Sequence, residues 1–240
     1  MKPNSITAVF TSCGRPDLLF KTLNSFHRFN DHTISRIIVV EDGLTAPSFL
    51  QSYRFETPSS ILSTGKQVGQ IAAIDYAYSL VDTEYIFHVE DDWEFYKTGF
   101  ISKSLRILKQ EPRCLQVWLR ALTDTNGHKI EKEIFYTKSI FNRKVPWRKL
   151  ALGYQEVWNG FSFNPGLRRM SDYIRAGGYG KYLKVASSKA DIHGFGELAM
   201  SMYYKNNNYF AAILADHSGQ GYVRHLGENR SSMQRRHHVN

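Results

Sequence analysis

The sequence predicts an α/β fold in which helices cover both faces of a mostly parallel central sheet. Apolar, β-branched runs such as residues 37–40 alternate over the first half of the chain with segments of helical period, which is the pattern of successive βαβ units. Of the 240 residues, 42% are hydrophobic and 22% are charged, as in globular chains rather than disordered, collagen-like or coiled-coil ones. Right-handed crossovers would bring the carboxyl ends of the parallel strands to one edge of the sheet, where ligands bind.

The predicted elements follow one another regularly through the first half. The β-leaning runs cover residues 6–10, 36–40, 61–63, 85–89 and 114–119, and helices are predicted from residue 16, over 69–80 and over 98–109. Pro16 favours a helix start because proline fits the first helical position. Leu19, Leu23 and Phe26 then recur on one helical face, which we expect to be buried.

The second half is less regular. From about residue 123 it contains Gly and Asn loops, with predicted helices at 165–175 and 196–205. No linker or low-complexity segment separates residues 1–122 from residues 123–240. We therefore expect two halves of a single domain, the second a smaller, irregular subregion that completes the site.

Hydropathy and cysteine content indicate the cellular compartment in which the protein is expected. The longest apolar runs fall far short of the roughly 20 residues that a membrane-spanning helix needs, and no secretory signal is expected behind Lys2. Cys13 and Cys114 form neither a disulfide framework nor a metal-ligand pair, which fits a reducing compartment. We expect a cytoplasmic protein whose contact with a membrane, if any, is peripheral.

The chain is strongly basic. It has 31 Lys and Arg residues against 22 Asp and Glu, a net charge of +9. Residues 143–184 alone hold nine basic residues and two acidic ones. Such a stretch suits a polyanion such as nucleic acid, an anionic acceptor or a lipid headgroup, or simply a solvated surface.

Acidic residues gather instead at the predicted ends of two strands. Glu90, Asp91 and Asp92 follow one strand, and Asp42 follows another. Adjacent carboxylates repel one another, so a cation or open water has to compensate them. Oxygen ligands of this kind suit Mg²⁺ or Mn²⁺ together with phosphate oxygens and water. The alternative is an acidic turn that starts the next helix.

Four motifs in register resemble those of a known enzyme family. They read ITAVFTS and RPDLL over residues 6–19, IIVVEDG over 37–43, Gly69 before a helix, and YIFHVEDD over 85–92. Their order and spacing are similar to those of nucleotide-sugar glycosyltransferases of the GT-A fold, family 2 in particular. The resemblance implies a GT-A, Rossmann-like fold in which residues 1–122 bind the nucleotide sugar and residues 123–240 bind the acceptor.

The resemblance also implies contacts to a sugar donor and a metal ion. The donor-side residues would be Thr11, Arg15, Asp42, Gln67, Gly69, Glu90 and Asp91. Thr11 and Arg15 fall where the family's first loop meets the base and phosphates, and Asp42 falls where a carboxylate receives the base edge. Asp92 falls on the usual direct metal ligand, and His225 falls where several GT-A enzymes complete the metal site. The implied cofactor is Mn²⁺ or Mg²⁺, and an imidazole ligand suits Mn²⁺ better.

The catalytic base implied by the resemblance is Glu197 at a helix start, with Asp191 as the second choice. A carboxylate in a partly dry cleft can take the proton of an acceptor hydroxyl, although an acidic residue at a helix start can also be purely structural. Candidate acceptor contacts are Trp158, Asn159 and Phe161, because aromatic rings and amides suit sugar recognition. The aromatic rings can equally belong to the core.

The implied function is metal-dependent transfer of a sugar from a nucleotide-diphosphate donor to the hydroxyl of a glycan, a lipid-linked acceptor or another acceptor. A UDP-sugar is favoured as donor, and inversion is favoured over retention. One alternative is a sugar-phosphate nucleotidyltransferase, although residues 11–15 lack the Gly-rich loop that such enzymes normally have. A second alternative is a non-enzymatic nucleic-acid-binding protein that uses residues 143–184 and has no need of Glu90, Asp91 and Asp92.

Overall fold

A computed structural model of the chain describes residues 2–125, 127–139, 143–153, 160–185, 192–214 and 218–227. The strands in these residues are β1 (Lys2–Ser12), β2 (Arg36–Glu41), β3 (Ser59–Ser63), β4 (Thr83–Glu90), β5 (Trp93–Phe95), β6 (Cys114–Trp118), β7 (Phe135–Tyr136), β8 (Pro146–Lys149), β9 (Gly166–Arg169), β10 (Phe210–Leu214) and β11 (Val223–His225). The α-helices are α1 (Pro16–Phe29), α2 (Gln70–Ser79), α3 (Phe100–Gln110), α4 (Met170–Ala176) and α5 (Ile192–Asn206), and short 3-10 helices cover Ser48–Gln51 and Gly180–Val185.

Nine of these strands form one sheet in the order β3-β2-β1-β4-β9-β6-β10-β8-β7, and β5 pairs separately with β11. β1 is parallel to its neighbours β2 and β4, β3 is parallel to β2, and β10 is parallel to β6. β9 runs antiparallel between β4 and β6, and β8 runs antiparallel to β10 and β7. The predicted α/β fold with a mostly parallel sheet is confirmed, and strands from both halves of the chain share that sheet.

Helices cover both faces of the sheet, as predicted. Because strand side chains alternate with a period of two, Ile6, Ala8 and Phe10 of β1 join a buried cluster with residues of α1 and α3, whereas Val9 joins a second cluster with residues of α2, α4 and α5. Among the described helices, none is long and apolar enough to cross a lipid bilayer.

The first helix is anchored by aromatic packing. α1 begins at Pro16 and buries its predicted apolar face. On that face, the Phe26 ring packs against Phe10 of β1 and Phe87 of β4 at centroid distances of 5.2 and 5.7 Å. This packing holds α1, and the loop that precedes it, against the two strands whose ends carry polar residues.

The predicted helix at 165–175 is wrong in its first part. Gly166–Arg169 forms β9, and only Met170–Ala176 is helical. Leu167 of β9 lies opposite Phe87 of β4 and Val117 of β6 and is fully buried. Pairing on both sides within the sheet therefore outweighs the local helical pattern.

The basic stretch at 143–184 is not a continuous solvated surface. Arg168 is 2% exposed, and Arg169 donates hydrogen bonds to the carbonyl oxygens of Leu108, Glu111 and Cys114. Lys149 lies over two aromatic rings, those of Phe135 and Phe210, with its Nζ 5.0 and 4.9 Å from their centroids. Part of the positive charge of this stretch therefore stabilises the fold and is not available at the surface.

Candidate functional site

The ends of β1, β2 and β4 meet at one edge of the sheet, as the sequence predicts. Ser12 at the end of β1 lies opposite Glu41 at the end of β2, and Thr11 lies opposite Glu90 at the end of β4. The backbone N–H of Asp42 donates to the Ser12 carbonyl at 2.7 Å. The acidic ends of β2 and β4 therefore flank the loop that follows β1.

Arg15 supplies positive charge to the carboxylates that follow β4. Its Nε and Nη2 donate to the two oxygens of Asp91, with Nε 3.0 Å from Oδ2, and its Nη1 donates to Asp92 Oδ2 at 2.8 Å. Ser12 Oγ also donates to Asp91 Oδ2, at 3.0 Å. Burial raises the pKa of Asp91 to about 6, although the Arg15 charge opposes the shift. The chain itself thus neutralises part of the acidic run.

The β5–β11 pair brings His225 to Asp92. His225 lies opposite Trp93 in this antiparallel pair, and the two rings pack with centroids 4.9 Å apart. His225 Nε2 is 3.3 Å from Asp92 Oδ2, and the Leu226 N–H donates to the Asp92 carbonyl at 2.7 Å. Burial acts to raise the pKa of Asp92, but the hydrogen bond from His225 and the charge of Arg15 bring it below its ordinary value. Asp92 is therefore held as a carboxylate beside an imidazole.

Asp92 and His225 would supply two ligands to a divalent cation, and further ligands would have to come from a bound molecule or water. Asp92 Oδ1 is buried and has no hydrogen-bond partner among the described residues, so it could bind a metal ion. Gly227 approaches closely, since a Cβ at this position would lie 2.7 Å from Asp92 Oδ2. In the described part of the chain, no group of three or more His, Cys, Asp or Glu could hold a metal ion. Mg²⁺ sites on phosphate ligands often use only one or two protein ligands, with phosphate oxygens and water completing the shell.

Asp42 holds the loop between β3 and α2. Its Oδ1 accepts a hydrogen bond from the Val68 N–H at 2.7 Å, and its Oδ2 accepts one from the Gly69 N–H at 2.9 Å. Gly69 has a φ of 97°, a conformation that only glycine adopts readily, and α2 begins at the next residue. Gln67 Nε2 donates to Cys13 Sγ at 3.1 Å. Asp42, Gln67 and Gly69 are thus brought together beside the loop that follows β1.

Glu90 is a partly buried carboxylate among other acidic groups. Burial, followed by the charges of Asp92 and Glu197, raises its pKa well above the ordinary value. A hydrogen bond from Gln70 Nε2 opposes this shift. Glu197 is the sixth residue of α5 and does not lie at the helix start, as the sequence suggested. Its charge acts on Glu90, so the two carboxylates lie near each other at this edge of the sheet.

Glu197 is oriented by the backbone before β9. Its Oε1 accepts a hydrogen bond from the Phe163 N–H at 3.0 Å. Burial raises the pKa of Glu197, whereas that hydrogen bond and the charge of Arg168 act to lower it. A carboxylate with a raised pKa and one fixed oxygen can accept a proton near neutral pH.

Of the three residues predicted to contact the acceptor, Phe161 is the one that lies in the described part of the chain, and its ring is buried. Phe161 is fully buried and packs against Phe163 and Tyr179, with ring centroids 5.2 Å away in each case. This corrects the expectation for Phe161, because a buried ring leaves no face open to a sugar. The other candidates on that side, Trp158 and Asn159, and the second-choice base Asp191 lie outside the described residues.

Two residues that help to hold the site together were not predicted from the sequence. Glu41 is 4% exposed, and its Oε1 accepts a hydrogen bond from the Gly14 N–H at 2.5 Å. Thr22 Oγ1 donates to the Asp91 carbonyl at 2.7 Å and accepts from the Trp93 N–H at 3.1 Å. Glu41 adjoins a predicted site residue and could have been found, whereas Thr22 lies among the apolar residues of α1 and gives no sequence signal.

A scan of protein-family models finds no match to this chain, and a comparison with curated proteins finds none either. Solved structures do match. A mannosyltransferase from Pyrobaculum calidifontis in complex with GDP-Man and Mn²⁺ has a TM-score of 0.65 and 12% identity, over 96% of this chain and 59% of that one. A fragment of S. aureus TarS, residues 1–349, has a TM-score of 0.60 and 13% identity, over 91% of this chain and 59% of that one.

The same TarS fragment in complex with UDP-GlcNAc has a TM-score of 0.56 and 13% identity, over 95% of this chain and 62% of that one. With the topology described above, these matches decide the fold. The chain has a GT-A-like fold. It spans less than two thirds of the length of each of these structures. Within the GT-A-like sheet, the edge that carries Asp42, Glu90 and Asp92 is the carboxyl edge of the parallel strands, where open α/β sheets bind ligands.

Proposed function

We propose that this chain is a glycosyltransferase that moves a sugar from a nucleotide-diphosphate donor, with a UDP-sugar favoured, to an acceptor hydroxyl. The observation that carries the proposal is the convergence of Arg15, the Asp92–His225 pair and Glu197 on one edge of the sheet. Similar folds have been solved with GDP-Man and Mn²⁺ and with UDP-GlcNAc, which supports the same class of donor here.

Asp92 and His225 are the residues that would hold a divalent ion, Mn²⁺ or Mg²⁺, at this edge. Such an ion, when bound, neutralises negative charge on a leaving diphosphate. Arg15 contributes a further positive charge at the same place, because its guanidinium already lies against Asp91 and Asp92. Together, these groups would stabilise a leaving nucleotide by electrostatics that are in place before the reaction.

The donor-side roles follow from position at the same edge. Thr11 and Arg15 would meet the base and phosphates, and Glu90 and Asp91 would hold the ribose or ordered water. Asp42 would receive the base edge through lone pairs that its hydrogen bonds to the 64–69 loop leave available. Gln67 and Gly69 would line the donor side of that loop.

Glu197 would act as the general base. With Oε1 fixed by the Phe163 N–H, its other oxygen would take the proton of the acceptor hydroxyl. The acceptor oxygen then forms the new bond to the anomeric carbon, the bond from that carbon to the diphosphate breaks, and the nucleotide diphosphate leaves with the electron pair. Direct displacement of this kind inverts the anomeric centre. Asp191 remains the second choice for the base.

The acceptor would bind through residues 123–240, while residues 1–122 bind the donor. A glycan, a lipid-linked acceptor or another hydroxyl compound fits this arrangement. Trp158 and Asn159 remain candidates for contacts to it. The exposed side chains of Arg143, Lys144 and Lys181 would supply positive charge for an anionic acceptor or for peripheral contact with a membrane.

Thermal unfolding in a panel of UDP-, GDP-, dTDP- and CDP-sugars, with and without Mn²⁺, tests the proposal. At about 100 times the Kd, a bound donor should stabilise the chain by about 2.7 kcal/mol, which is roughly 5–10 °C in Tm for a chain of this size. We expect this shift for at least one donor, and only with Mn²⁺ present. Asp92→Asn should abolish it while the unliganded variant still unfolds cooperatively.

Glu94→Gln is the matched control. Glu94 belongs to the same acidic run, but it pairs with exposed Arg224 on the other side of the β5–β11 pair, so this variant should keep the full donor shift. The proposal is contradicted if no nucleotide sugar raises the Tm of the wild-type chain, or if Asp92→Asn responds as the wild type does.

A further inference from the structure

Arg168 is a buried cation inside the sheet. It is 2% exposed and lies in β9 opposite Ile86, whose side chain belongs to the buried cluster shared with α2, α4 and α5. Its guanidinium carbon is 5.8 Å from the centroid of the Phe161 ring, and the phenols of Tyr78 and Tyr179 act on its charge. A buried guanidinium is costly unless polar groups compensate it, so its partners indicate what it does.

One peptide group joins Arg168 to Glu197. Arg168 Nη2 donates to the carbonyl oxygen of Ser162 at 3.0 Å. The N–H of Phe163, at the other end of the same planar peptide, donates to Glu197 Oε1 at 3.0 Å. A cation on the carbonyl and an anion on the N–H polarise the peptide in the same direction, and hydrogen bonds in such a chain strengthen one another in a low-dielectric interior.

We propose that Arg168 is the positioning residue of Glu197: acting through the Ser162–Phe163 peptide, it fixes the orientation of the carboxylate and favours its charged form. The catalytic meaning of this inference rests on the proposed function, in which Glu197 is the base. The link between the two side chains is a property of the fold and can be measured without a substrate.

The charges around Glu197 fit this role. Among the described residues, the charged groups that face it are Glu90 on β4, of like sign, and Arg168 on β9, of opposite sign. Burial raises the pKa of Glu197, and the Phe163 N–H and the Arg168 charge are the two influences that oppose burial. Both of these depend on Arg168, because it carries the charge and holds the peptide that presents the N–H.

Removing the charge of Arg168 should therefore make Glu197 harder to ionise. In Arg168→Met, the titration midpoint of Glu197 should move up by about one pH unit or more, as expected when a nearby opposite charge is lost. Arg168→Lys keeps a charge but loses the planar fork that reaches the Ser162 carbonyl, so its midpoint should fall between those of the wild type and Arg168→Met.

The experiment is a ¹³C NMR titration of the full chain labelled at the side-chain carboxyl carbon of glutamate. The Glu197 signal is assigned as the one lost in Glu197→Gln. If Arg168→Met does not fold, Arg168→Gln replaces it with the same expectation, because glutamine keeps a donor for the Ser162 carbonyl and lacks the charge. A midpoint that stays at the wild-type value in a folded, uncharged variant overturns the proposal.

Arg169→Met is the matched control. Arg169 is the next residue of β9, and its guanidinium donates hydrogen bonds to carbonyl oxygens at the end of α3 and the start of β6. Its loss should therefore lower stability without moving the titration midpoint of Glu197. An equal shift in this variant would mean that any damage to β9 disturbs Glu197, and would also overturn the proposal.

A parallel assay separates this inference from the proposed function. Release of UDP from UDP-GlcNAc and of GDP from GDP-mannose, each with Mn²⁺, is followed against pH for the same variants. If Arg168 sets the protonation state of Glu197, the acidic limb of the pH–rate profile should move to higher pH by the same amount as the NMR midpoint. A shifted midpoint in a chain that hydrolyses neither donor would support the link to Arg168 and count against the proposed function.

Discussion

At the scale of single residues, the site concentrates carboxylates that burial makes hard to ionise. The pKa values of Glu90, Asp91 and Glu197 are all raised, with burial as the largest cause in each case. Asp92 alone among these four carboxylates has a lowered pKa, because His225 and Arg15 both favour its charged form. The candidate metal ligand thus favours its charged form, whereas burial makes the candidate base easier to protonate than an ordinary glutamate.

A raised pKa of Glu197 has a measurable effect on stability. When the folded pKa of a carboxyl group lies above its unfolded value, the chain loses stability as the pH rises from the unfolded pKa through the folded one. Glu197→Gln has no such proton to lose. Its free energy of unfolding relative to the wild type should therefore increase as the pH rises above the ordinary pKa of glutamate, by about 1.4 kcal/mol for each unit of pKa shift.

Urea unfolding of both chains across a range of pH checks the expectation. A difference in free energy of unfolding that is the same at the acidic and the alkaline end would show that the pKa of Glu197 is not raised in the folded chain.

At the scale of elements, the candidate site needs a strand that pairs far away in sequence. β11 pairs with β5, so that Arg224 meets Glu94 across 130 positions of sequence. Along β11, Arg224 is exposed and ion-paired with Glu94, whereas His225 lies against Asp92. Adjacent residues of one short strand therefore have different surroundings and allow a matched comparison.

His225→Ala should weaken Mn²⁺ binding in the presence of UDP or GDP, and it should weaken Mg²⁺ binding less, because imidazole suits Mn²⁺ better than Mg²⁺. Arg224→Ala removes only an exposed ion pair, worth at most about 1 kcal/mol of stability, and should leave binding of both metals unchanged. Calorimetric titration of each metal into the nucleotide-loaded variants makes the comparison. Equal losses of the two metals in His225→Ala would count against an imidazole ligand.

The extent to which the sequence predicts this molecule differs between elements. β1, β2, β4 and α1 follow from apolar periodicity and turn residues, which are local signals. β9 and the β5–β11 pair were missed because such short strands form only where distant partners meet. Likewise, the carboxylates after β4 were recognised from their spacing, but their pairing with Arg15 depends on how the loop at 13–15 lies against β4, which local pattern does not specify.

At the scale of the whole molecule, several basic side chains of the described residues stabilise the fold and do not form an exposed basic surface. Arg168 and Arg169 donate hydrogen bonds to backbone carbonyl oxygens inside the fold, and Arg148 donates to the carbonyl oxygens of Glu131 and Lys132. A protein that binds polyanions non-specifically needs exposed cations along one face. The GT-A-like sheet instead places acidic residues and Arg15 together at the edge where ligands bind.

The converging strand ends should bind a divalent ion and a nucleotide diphosphate together. Because two protein ligands alone hold Mn²⁺ weakly, each partner should tighten the binding of the other, by the same factor in both directions. Titration of Mn²⁺ followed by its EPR signal, with the chain alone, with the chain plus UDP or GDP, and with nucleotide alone as control, measures this mutual dependence. We expect Mn²⁺ to bind at least about fivefold more tightly in the complex with one of these nucleotides, and Asp92→Asn should remove this gain. If neither nucleotide changes Mn²⁺ binding, the ion and the nucleotide do not share a site at these strand ends.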